Sequence, residues 1–396
     1  MKSLELNSEI FTRGVEDIIT REALSLLLKS GRKLRIKHGI DATAPDLHLG
    51  HAASLWKLRI LQEAGHKAVI LLGDVTTQIG DPTGRTKARP VLSEKEIKRN
   101  AESIEKQIKK ILLDNPNVLE IHKSSEWYKK LSTIDFLKLL SMITNARLLE
   151  RDMFQKRIKE GAEIYEHEIV YPVLQGYDSV MLKADLTIIG SDQLFNEHVG
   201  RHFQKKLGQN PQVIVTLSIL PGLEGGEKMS KSLGNHISLL DTPRDKFGKA
   251  MRLLDSLIVS YLEAYTDAPA AEIKRVEREL RQGENPMKAK LFFAEALVRR
   301  YHGKEDAKKE RDYFLKVFSQ KNLEEIPSAK TRPGTYLATD LILALGFASS
   351  KSEARRLIEQ GALRVNDHKI ARWDEQVNIK KGTTIQVGKR KFAKVN

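Results

Sequence analysis

Residues 34–72 read LRIKHGIDATAPDLHLGHAASLWKLRILQEAGHKAVILL, and this stretch decides the fold. It begins with a strand-like apolar pattern over 34–40. A helix is predicted over about 52–64, because leucines recur three apart on one face and Gly65 ends the pattern. The apolar run 68–72 predicts a second, buried strand. A strand, a helix and another strand in this order indicate a parallel sheet with crossover helices.

The alternating pattern continues beyond this stretch. A strand is predicted over 184–189, after a helical stretch from 93 to 161 that we interpret as an insertion into one nucleotide-binding fold. The Gly- and Asp-rich loop 73–84 follows a buried strand, and ligands of open parallel sheets collect at such strand ends. After residue 236 the chain is helical and charged, and two prolines and a glycine indicate a linker at 326–335.

The segment after the linker predicts a small separate unit. Helices are expected over 337–345 and 351–360, followed by short strands. On the second helix Lys351 and Arg355 lie four residues apart with Arg356 beside them, so a basic face is expected on a rigid element. The predicted fold class is α/β: a Rossmann-like parallel-sheet domain with a helical insertion near 93–161 (1–235), an α-helical domain (236–325), and a small α+β domain (336–396).

Length, charge and cysteine content restrict the function. The chain has 396 residues, a net charge of +15 and no cysteine. Disulfides, thiolate catalysis and cysteine-ligated metal centres are therefore excluded. The charge favours a polyanionic partner such as nucleic acid, and it is concentrated in 333–396, with 12 Lys and Arg against 6 Asp and Glu. A solvated basic surface would explain the charge equally well.

Neither a targeting segment nor a membrane span is expected. Residues 1–11 contain two acidic side chains and no apolar run. The most apolar stretch, 68–72, is far shorter than the roughly 20 residues of a membrane helix. A cytoplasmic protein without membrane contact is expected.

The sharpest motif is Asp46-Leu47-His48-Leu49-Gly50-His51, between the first strand and the helix. Backbone amides and the dipole at a helix N-terminus favour a phosphate. His48 and His51 could donate to phosphate oxygens and stabilise charge at a phosphorus under attack, and Gly50 leaves room for a purine or ribose. A helix-capping cluster or a zinc pair are alternatives, but zinc is disfavoured because the metalloprotease motif spaces its histidines by four with a Glu between them.

A second motif, Gly225-Gly226-Glu227-Lys228-Met229-Ser230-Lys231-Ser232, places two lysines on a glycine-rich loop. Such a loop can neutralise a departing pyrophosphate and close when a nucleotide binds. By itself the pattern is more typical of a solvated basic loop. Its weight comes from its occurrence together with the histidine motif.

Together, His48–His51 and Lys228–Ser232 resemble the paired signature of class I aminoacyl-tRNA synthetases. Within that class the chain resembles the tyrosyl-tRNA synthetase family, and the part from Tyr336 resembles the RNA-binding fold that bacterial members share with a ribosomal small-subunit protein. The stretches that carry the family resemblance are Asp41–His48, Gly80–Gly84, Tyr171–Asp178 and Gly190–Gln193.

The resemblance implies an ATP-dependent ligase. L-tyrosine would react with ATP to give tyrosyl-adenylate and pyrophosphate, and tyrosine would then pass to the 3′ end of tRNA(Tyr). ATP would arrive with Mg²⁺, with no tightly bound cofactor and no dedicated protein metal site. The helical domain would bind the anticodon region of the tRNA. A homodimer is also implied, with its subunit contact near Thr133–Lys159, although apolar residues there could equally serve the monomer core.

The resemblance further implies the roles of individual residues. Asp178 would accept the phenolic hydroxyl and so exclude phenylalanine, which would leave a buried acceptor unpaired. The implied catalytic residues are Thr43, His48, His51, Lys228 and Lys231. The implied ATP-binding residues are Asp41, Gly50, Ser54, Gly190, Asp192, Met229 and Ser230. The implied tyrosine-binding residues are Gly39, Asp81, Tyr171, Gln175, Asp178 and Gln193. The implied tRNA-binding residues are Lys351, Arg355, Arg356, Arg364 and Lys369.

The sequence departs from the family pattern at three places. Lys37 stands where many members have a second tyrosine directed at the phenol, and a cation there could favour a phenolate-like or acidic group instead. Ala42 replaces the usual proline, and Thr77-Gln78 replace smaller or apolar residues. A nucleotidyltransferase is one alternative, but it has no use for two RNA-binding appendages. A non-catalytic RNA-binding relative is another, but it would be expected to lose one of the two motifs.

Overall fold

The structure is a computed structural model that describes residues 4–82, 92–229, 234–319, 328–329, 331–366, 368–388 and 391–395. Two compact units form the chain, Met1–Lys308 and Lys309–Asn396. The predicted boundary at residue 235 falls within the first unit, and the predicted linker falls within the second. The finer division into three domains stays a prediction.

A six-stranded sheet forms the centre of the first unit. Its strands are β1 (Val15–Ile19), β2 (Arg35–Asp41), β3 (Lys67–Gly73), β4 (Leu119–Lys123), β5 (Leu186–Gly190) and β6 (Val213–Leu217). The order is β1-β6-β5-β2-β3-β4, and all neighbours are parallel except β1 and β6. The predicted parallel-sheet α/β fold is confirmed. The chain order reverses between β2 and β5, and open sheets of this kind bind ligands outside the carboxyl ends of the strands at such a reversal.

Helices cover the sheet and continue beyond it. They are α1 (Glu9–Thr12), α2 (Arg21–Lys29), α3 (Leu49–Glu63), α4 (Asp74–Ile79), α5 (Glu94–Ile111), α6 (Ser125–Tyr128), α7 (Thr133–Leu140), α8 (Asn145–Leu149), α9 (Asp152–Lys159), α10 (Glu166–Met181), α11 (Leu194–Lys206), α12 (Pro243–Ala250), α13 (Ile258–Tyr265), α14 (Ala270–Arg281), α15 (Pro286–His302) and α16 (Lys304–Phe314). Short 3₁₀ turns lie at Ser191–Gln193 and Asp255–Leu257, and a π-helical turn at Leu315–Ser319.

The apolar pattern explains how α3 packs. Leu55, Leu58 and Leu61 on one face of α3 are at most 1% exposed and belong to the core under the sheet. The helix begins at Leu49, three residues earlier than predicted, because His48 caps it. The histidine motif is therefore the first turn of the helix.

The stretch predicted as a helical insertion contains a strand. β4 pairs with β3 at the edge of the sheet. Its signal is short, because Leu119 and Ile121 are its only apolar side chains. Its Glu120 accepts hydrogen bonds from Arg35 at 2.7 Å and Lys67 at 2.6 Å. Residues between β4 and α10 thus form the inserted part. Strand β1 was also not predicted.

The second unit has its own core. Its described elements are β7 (Ser328–Ala329), β8 (Gly334–Leu337), α17 (Ala338–Ala344), α18 (Lys351–Glu359), β9 (Leu363–Val365), β10 (His368–Lys369), β11 (Gln376–Ile379), β12 (Thr384–Val387) and β13 (Lys391–Val395). The strands form one sheet in the order β10-β9-β12-β13-β7 and a separate β11-β8 pair. Ala354 and Ile358 on α18 are fully buried in this core.

Candidate active site

A single cleft in the first unit gathers the predicted site residues from the carboxyl ends of β2, β3 and β5 and from α3, α10 and α11. All of those that the structure describes and that were predicted for catalysis, ATP binding or tyrosine binding line it: Gly39, Asp41, Thr43, His48, Gly50, His51, Ser54, Asp81, Tyr171, Gln175, Asp178, Gly190, Asp192, Gln193, Lys228 and Met229. Ser230 and Lys231 lie outside the described residues. Lys37 and Glu197 also line the cleft.

The two histidines are held in defined tautomers at the start of α3. The Nδ1 atom of His48 accepts the backbone N–H of Gly50 at 3.2 Å, and Nδ1 of His51 accepts the backbone N–H of His48 at 3.4 Å. A neutral ring whose Nδ1 accepts carries its proton on Nε2. Both rings therefore have an Nε2–H donor, the group that suits a phosphate oxygen at a helix N-terminus.

Gly50 leaves the ring of His48 in place. A Cβ at this position would lie 3.0 Å from Cε1 and 3.1 Å from Nδ1 of His48. A side chain would therefore press on the imidazole. Close packing against the His48 imidazole therefore favours glycine here.

Residues 237–239 support the histidine motif from the other side. The backbone N–H of Leu49 donates to the carbonyl of Ile237 at 3.1 Å, and Leu239 N–H donates to the carbonyl of Leu47 at 2.9 Å. The lysine motif immediately precedes this short ladder in the chain.

Lys228 of the lysine motif lies at the rim of the cleft. Its Nζ is 3.2 Å from Oδ2 of Asp192, and its side chain is 51% exposed. Gly190 allows Asp192 to take this position, because a Cβ there would lie 3.0 Å from Oδ1 of Asp192. A phosphate group in the cleft would compete with Asp192 for the ammonium group of Lys228.

Two carboxylates, Asp41 and Asp81, line another part of the cleft. Oδ2 of Asp41 accepts the hydroxyl of Tyr171 at 2.9 Å, and its Oδ1 accepts the hydroxyl of Thr76 at 2.7 Å. Oδ2 of Asp81 accepts Nε2 of Gln193 at 2.9 Å. Burial and the nearby Asp41 raise the pKa of Tyr171 well above its usual value, so its hydroxyl remains a donor. This arrangement can hold a ligand ammonium group.

Asp178 lies at the bottom of the cleft and is 2% exposed. Its Oδ1 accepts the indole N–H of Trp127 at 2.9 Å and lies 2.8 Å from the hydroxyl of Tyr128. Burial raises the pKa of Asp178 to about 7, although the positive charge of Lys37 and these two hydrogen bonds oppose the shift. A carboxyl group in this state can accept a hydrogen bond from a ligand hydroxyl.

Lys37 is not directed at a ligand as an unpaired cation. Its Nζ lies 3.0 Å from the carboxylate of Glu197 and 2.6 Å from Oγ of Ser179. The ion pair is buried, with Lys37 1% and Glu197 0% exposed. This pairing removes the reason to expect a preference for an acidic or phenolate-like ligand.

The other two departures from the family pattern contact each other. The backbone N–H of Ala42, which a proline would lack, donates to Oγ1 of Thr77 at 2.8 Å. The Thr77 hydroxyl in turn donates to the carbonyl of Gly73. The two substitutions therefore compensate for each other beside the cleft.

Sequence reasoning missed several of these residues. Trp127 and Tyr128 come from α6, a four-residue helix with no periodic signal, and only the fold brings them to Asp178. Glu197 lies four residues after the Gln193 motif on the same helical path, and a lysine on a buried strand calls for an acidic partner. That requirement was the signal that could have identified Glu197.

The residues predicted for tRNA binding lie in the second unit. Lys351, Arg355 and Arg356 are exposed on α18, and Arg364 and Lys369 are exposed on β9 and β10. The guanidinium of Arg355 lies 4.3 Å from the ring centroid of Trp373. Exposed basic side chains beside an aromatic ring are typical of proteins that bind RNA, although Lys351 and Arg355 also form ion pairs with Asp340 and Glu359.

The described part of the chain has neither a membrane-spanning helix nor a cluster of metal-ligating side chains. None of its helices is both long enough and apolar enough to cross a membrane. The same residues include no group of three or more His, Cys, Asp or Glu side chains that could hold a metal ion.

The sequence matches two family models. Residues 29–319 match "tRNA synthetases class I (W and Y)", and residues 340–373 match "S4 domain". A tyrosine–tRNA ligase of Carboxydothermus hydrogenoformans is 43% identical, with 99% of this chain and 98% of the relative aligned. Tyrosine–tRNA ligase 2 of Vibrio parahaemolyticus is 42% identical, over 100% of this chain and 99% of the relative.

Solved structures share the fold. A C-terminally truncated mitochondrial tyrosyl-tRNA synthetase of Aspergillus nidulans superposes with a TM-score of 0.64 at 23% identity, covering 79% of this chain and 94% of that one. The tyrosyl-tRNA synthetase of Archaeoglobus fulgidus, solved with L-tyrosine, gives 0.59 at 25% identity, covering 76% and 98%.

Proposed function

The chain belongs to the tyrosine–tRNA ligase family of class I tRNA synthetases, and from that premise we propose how its residues ligate L-tyrosine to tRNA(Tyr). The reaction has two steps, formation of tyrosyl-adenylate from tyrosine and ATP and transfer of tyrosine to the tRNA. One observation supports the assignment of residue roles: the histidine motif, Lys228 and the predicted tyrosine site line the same cleft. The non-catalytic alternative is not favoured, because both motifs are intact in the sequence.

The amino acid lies along the cleft with its side chain toward Asp178. The phenolic hydroxyl donates to the Asp178 carboxylate. The ammonium group contacts Asp81, Tyr171 and Gln175, a charge-assisted arrangement that directs the carboxylate of tyrosine toward the phosphates. Gly39 lines the cleft and leaves open space beside its backbone, because nothing lies within 4 Å of a Cβ built at this position.

The phosphates of ATP lie at the start of α3. An oxygen of the tyrosine carboxylate forms a bond to the α-phosphorus, and the bond from that phosphorus to the oxygen of the leaving pyrophosphate breaks. The Nε2–H groups of His48 and His51, with Thr43, stabilise charge on the phosphoryl oxygens. Lys228 and Lys231 neutralise the departing pyrophosphate. No base is needed, because the attacking group is already a carboxylate.

The remaining ATP contacts and the second step involve other residues. Asp41, Gly50, Ser54, Gly190, Asp192, Met229 and Ser230 hold the nucleotide. Gln193 holds the carbonyl group while the 3′-terminal hydroxyl of the tRNA attacks it and AMP leaves. The basic surface of the second unit, around Arg355 and Arg356, and the helical region 236–325 bind the tRNA backbone.

We also infer the conditions in which the enzyme works. ATP arrives as its magnesium complex, with the metal held by phosphates and water. The protein is a cytoplasmic homodimer whose subunits meet through α7 and α9. Ile134 and Leu137 on α7 and Ile158 on α9 support this contact, because they are 50–62% exposed, a large apolar exposure for a monomer surface.

The His51→Ala variant tests the proposed chemistry. The single-turnover rate of adenylate formation should fall by roughly 10² or more, because the histidine acts mainly in the transition state. Equilibrium binding of tyrosine should be nearly unchanged, since His51 lies at the phosphate end. An unchanged single-turnover rate would refute the role of His51.

A further inference from the structure

A buried polar network lies behind the tyrosine site. Both the Lys37 and the Glu197 side chain are essentially inaccessible to water, and their charged groups are 3.0 Å apart. The Glu197 carboxylate also accepts Nε2 of Gln175 at 2.8 Å and Nε2 of Gln212 at 2.6 Å. A buried ion pair is tolerated when its groups are fully hydrogen-bonded, and this one is.

The network reaches the proposed ammonium site. Nδ2 of Asn196 donates to Oε1 of Gln175 at 2.8 Å and to Oε1 of Gln193 at 3.0 Å. Gln193 in turn donates to Asp81 at 2.9 Å. An unbroken series of hydrogen bonds therefore connects Glu197 with Asp81.

The charge of Glu197 determines how the Gln175 amide is oriented. An ionised carboxylate can only accept hydrogen bonds, so the Gln175 atom facing it must be the NH₂ group. The Gln175 oxygen must then face Asn196 and the Asp81 end. The Glu197 carboxylate is paired with the Lys37 ammonium group at 3.0 Å.

We propose that Lys37 and Glu197 are positioning residues for the amino group of the substrate. The buried pair fixes the Gln175 amide with its oxygen, and not its NH₂ group, toward the ammonium group. The departure at Lys37 therefore concerns recognition of the amino group, in addition to the effect of its charge on Asp178. This inference rests on the proposed tyrosine-binding role of Gln175.

Two double variants separate this role from a structural one. Lys37→Met with Glu197→Leu replaces the pair by apolar side chains, a change that is often neutral for stability. It removes the acceptor that orients Gln175, so the amide can turn its NH₂ group toward the ammonium. Lys37→Met with Glu197→Gln also removes both charges but keeps an oxygen at position 197 that can accept from Gln175.

The readout compares tyrosine with 3-(4-hydroxyphenyl)propanoate, which lacks the amino group. Dissociation constants are measured for both with the full chain, together with thermal unfolding. In the Leu variant we expect tyrosine to bind about tenfold more weakly and the desamino compound about as before, because one hydrogen bond to a charged group is lost. In the Gln variant the preference for tyrosine should stay within roughly threefold of the wild type.

Other outcomes overturn the inference. A folded Leu variant with wild-type preference would contradict it, and so would an equal loss of affinity for both compounds, which indicates general damage to the pocket. If the Leu variant does not fold, the Glu197→Asp variant replaces it. The shorter side chain keeps the negative charge beside Lys37 but moves the accepting oxygen away from Gln175. Its preference for tyrosine should then fall measurably, and an unchanged preference would contradict the inference.

A matched control and the wild type complete the design. Lys67→Met breaks a partly buried ion pair with Glu120 on the neighbouring strand, outside the cleft, and should leave the preference unchanged. A wild-type chain without any preference for tyrosine over the desamino compound would refute the proposed ammonium site itself. A wild-type preference that the Leu variant retains would refute only the role of Lys37 and Glu197.

Discussion

The surroundings of Asp178 shift the pKa of its carboxyl group in opposite directions. Burial favours its neutral form, while Lys37, Trp127 and Tyr128 favour the carboxylate. Glu197 adds a further nearby negative charge. The balance places the pKa at about 7, close to neutral pH. We therefore predict that binding of a phenol at Asp178 depends on pH in the physiological range.

Tyrosine binding should weaken as the pH falls below about 7. In the proposed complex the phenol donates to Asp178, and because a carboxylate is a much stronger acceptor than a neutral carboxyl group, a proton on Asp178 should weaken binding. With a pKa of about 7, a single titration predicts about a fivefold rise in the tyrosine dissociation constant from pH 7 to pH 6. Equilibrium dialysis without ATP measures this effect apart from the histidines of the phosphate site.

The Asp178→Asn variant provides the control. It should bind tyrosine more weakly at pH 8 and should lose the dependence between pH 6 and pH 8. Wild-type binding that is constant over this range would show that Asp178 does not titrate there.

The contact between Ala42 and Thr77 makes a second prediction for single residues. Thr77→Val leaves the fully buried N–H of Ala42 without its acceptor, which should cost about 1–3 kcal/mol of stability. In an Ala42→Pro background the N–H is absent, so the same substitution should cost about 1 kcal/mol less. Urea unfolding of the four proteins measures this coupling. An equal cost in both backgrounds would mean that the contact contributes nothing.

The N-terminus of α3 carries the histidine motif and is the proposed site of phosphate contact. His48 is its cap, His51 lies in its first turn, and residues 237–239 pair with the backbone just before and at its start. The positive end of the helix dipole and both imidazole rings lie at this end of the helix. The cap and these backbone contacts hold both histidines in place.

Gly50→Ala should disturb this element specifically. The added methyl group meets the His48 ring at 3.0 Å, so we expect adenylate formation to slow by about tenfold or more while tyrosine binding is kept. Gly248→Ala in α12 is the matched control, because nothing lies within 4 Å of its Cβ. The control should gain about 0.5–1 kcal/mol of stability and keep its activity. Equal single-turnover rates in both variants would contradict the role of Gly50.

Among the helices and strands, those with a clear apolar pattern were predicted from the sequence. The buried strands β3 and β5 were found from short apolar runs, and the helices α3 and α18 from apolar residues that repeat every three to four positions. Strand β4 was not found, because it has only two apolar side chains, and strands β1 and β6 were not found either. Contacts between distant segments, such as Lys37 with Glu197, leave no periodic signal in either segment.

At the scale of the whole molecule, we propose that tyrosine and ATP bind in the cleft of the first unit, whereas tRNA also contacts the basic residues of the second unit. Deleting residues 336–396 should therefore leave tyrosine-dependent pyrophosphate exchange nearly intact and strongly reduce tRNA charging, most of all at higher salt. Normal charging kinetics by the truncated protein would contradict an RNA-binding role for these residues.

The proposed dimer is a second property of the whole molecule. Leu137→Asp places a charge in the apolar surface of α7 and should shift the protein from dimer to monomer in sedimentation velocity. Leu137 is 54% exposed, so the monomer itself should stay folded. A wild-type protein that sediments as a monomer at micromolar concentration would refute the dimer.

The most direct test of the whole account is ATP–pyrophosphate exchange by the purified protein, measured with each of the twenty amino acids in turn. We predict exchange with tyrosine alone, and rejection of phenylalanine by a factor on the order of 10⁴, a discrimination for which tyrosyl-tRNA synthetases are known. That result would show that the Lys37–Glu197 pair is compatible with tyrosine specificity. Exchange with a different amino acid, or with none, would contradict the assignment of the cleft.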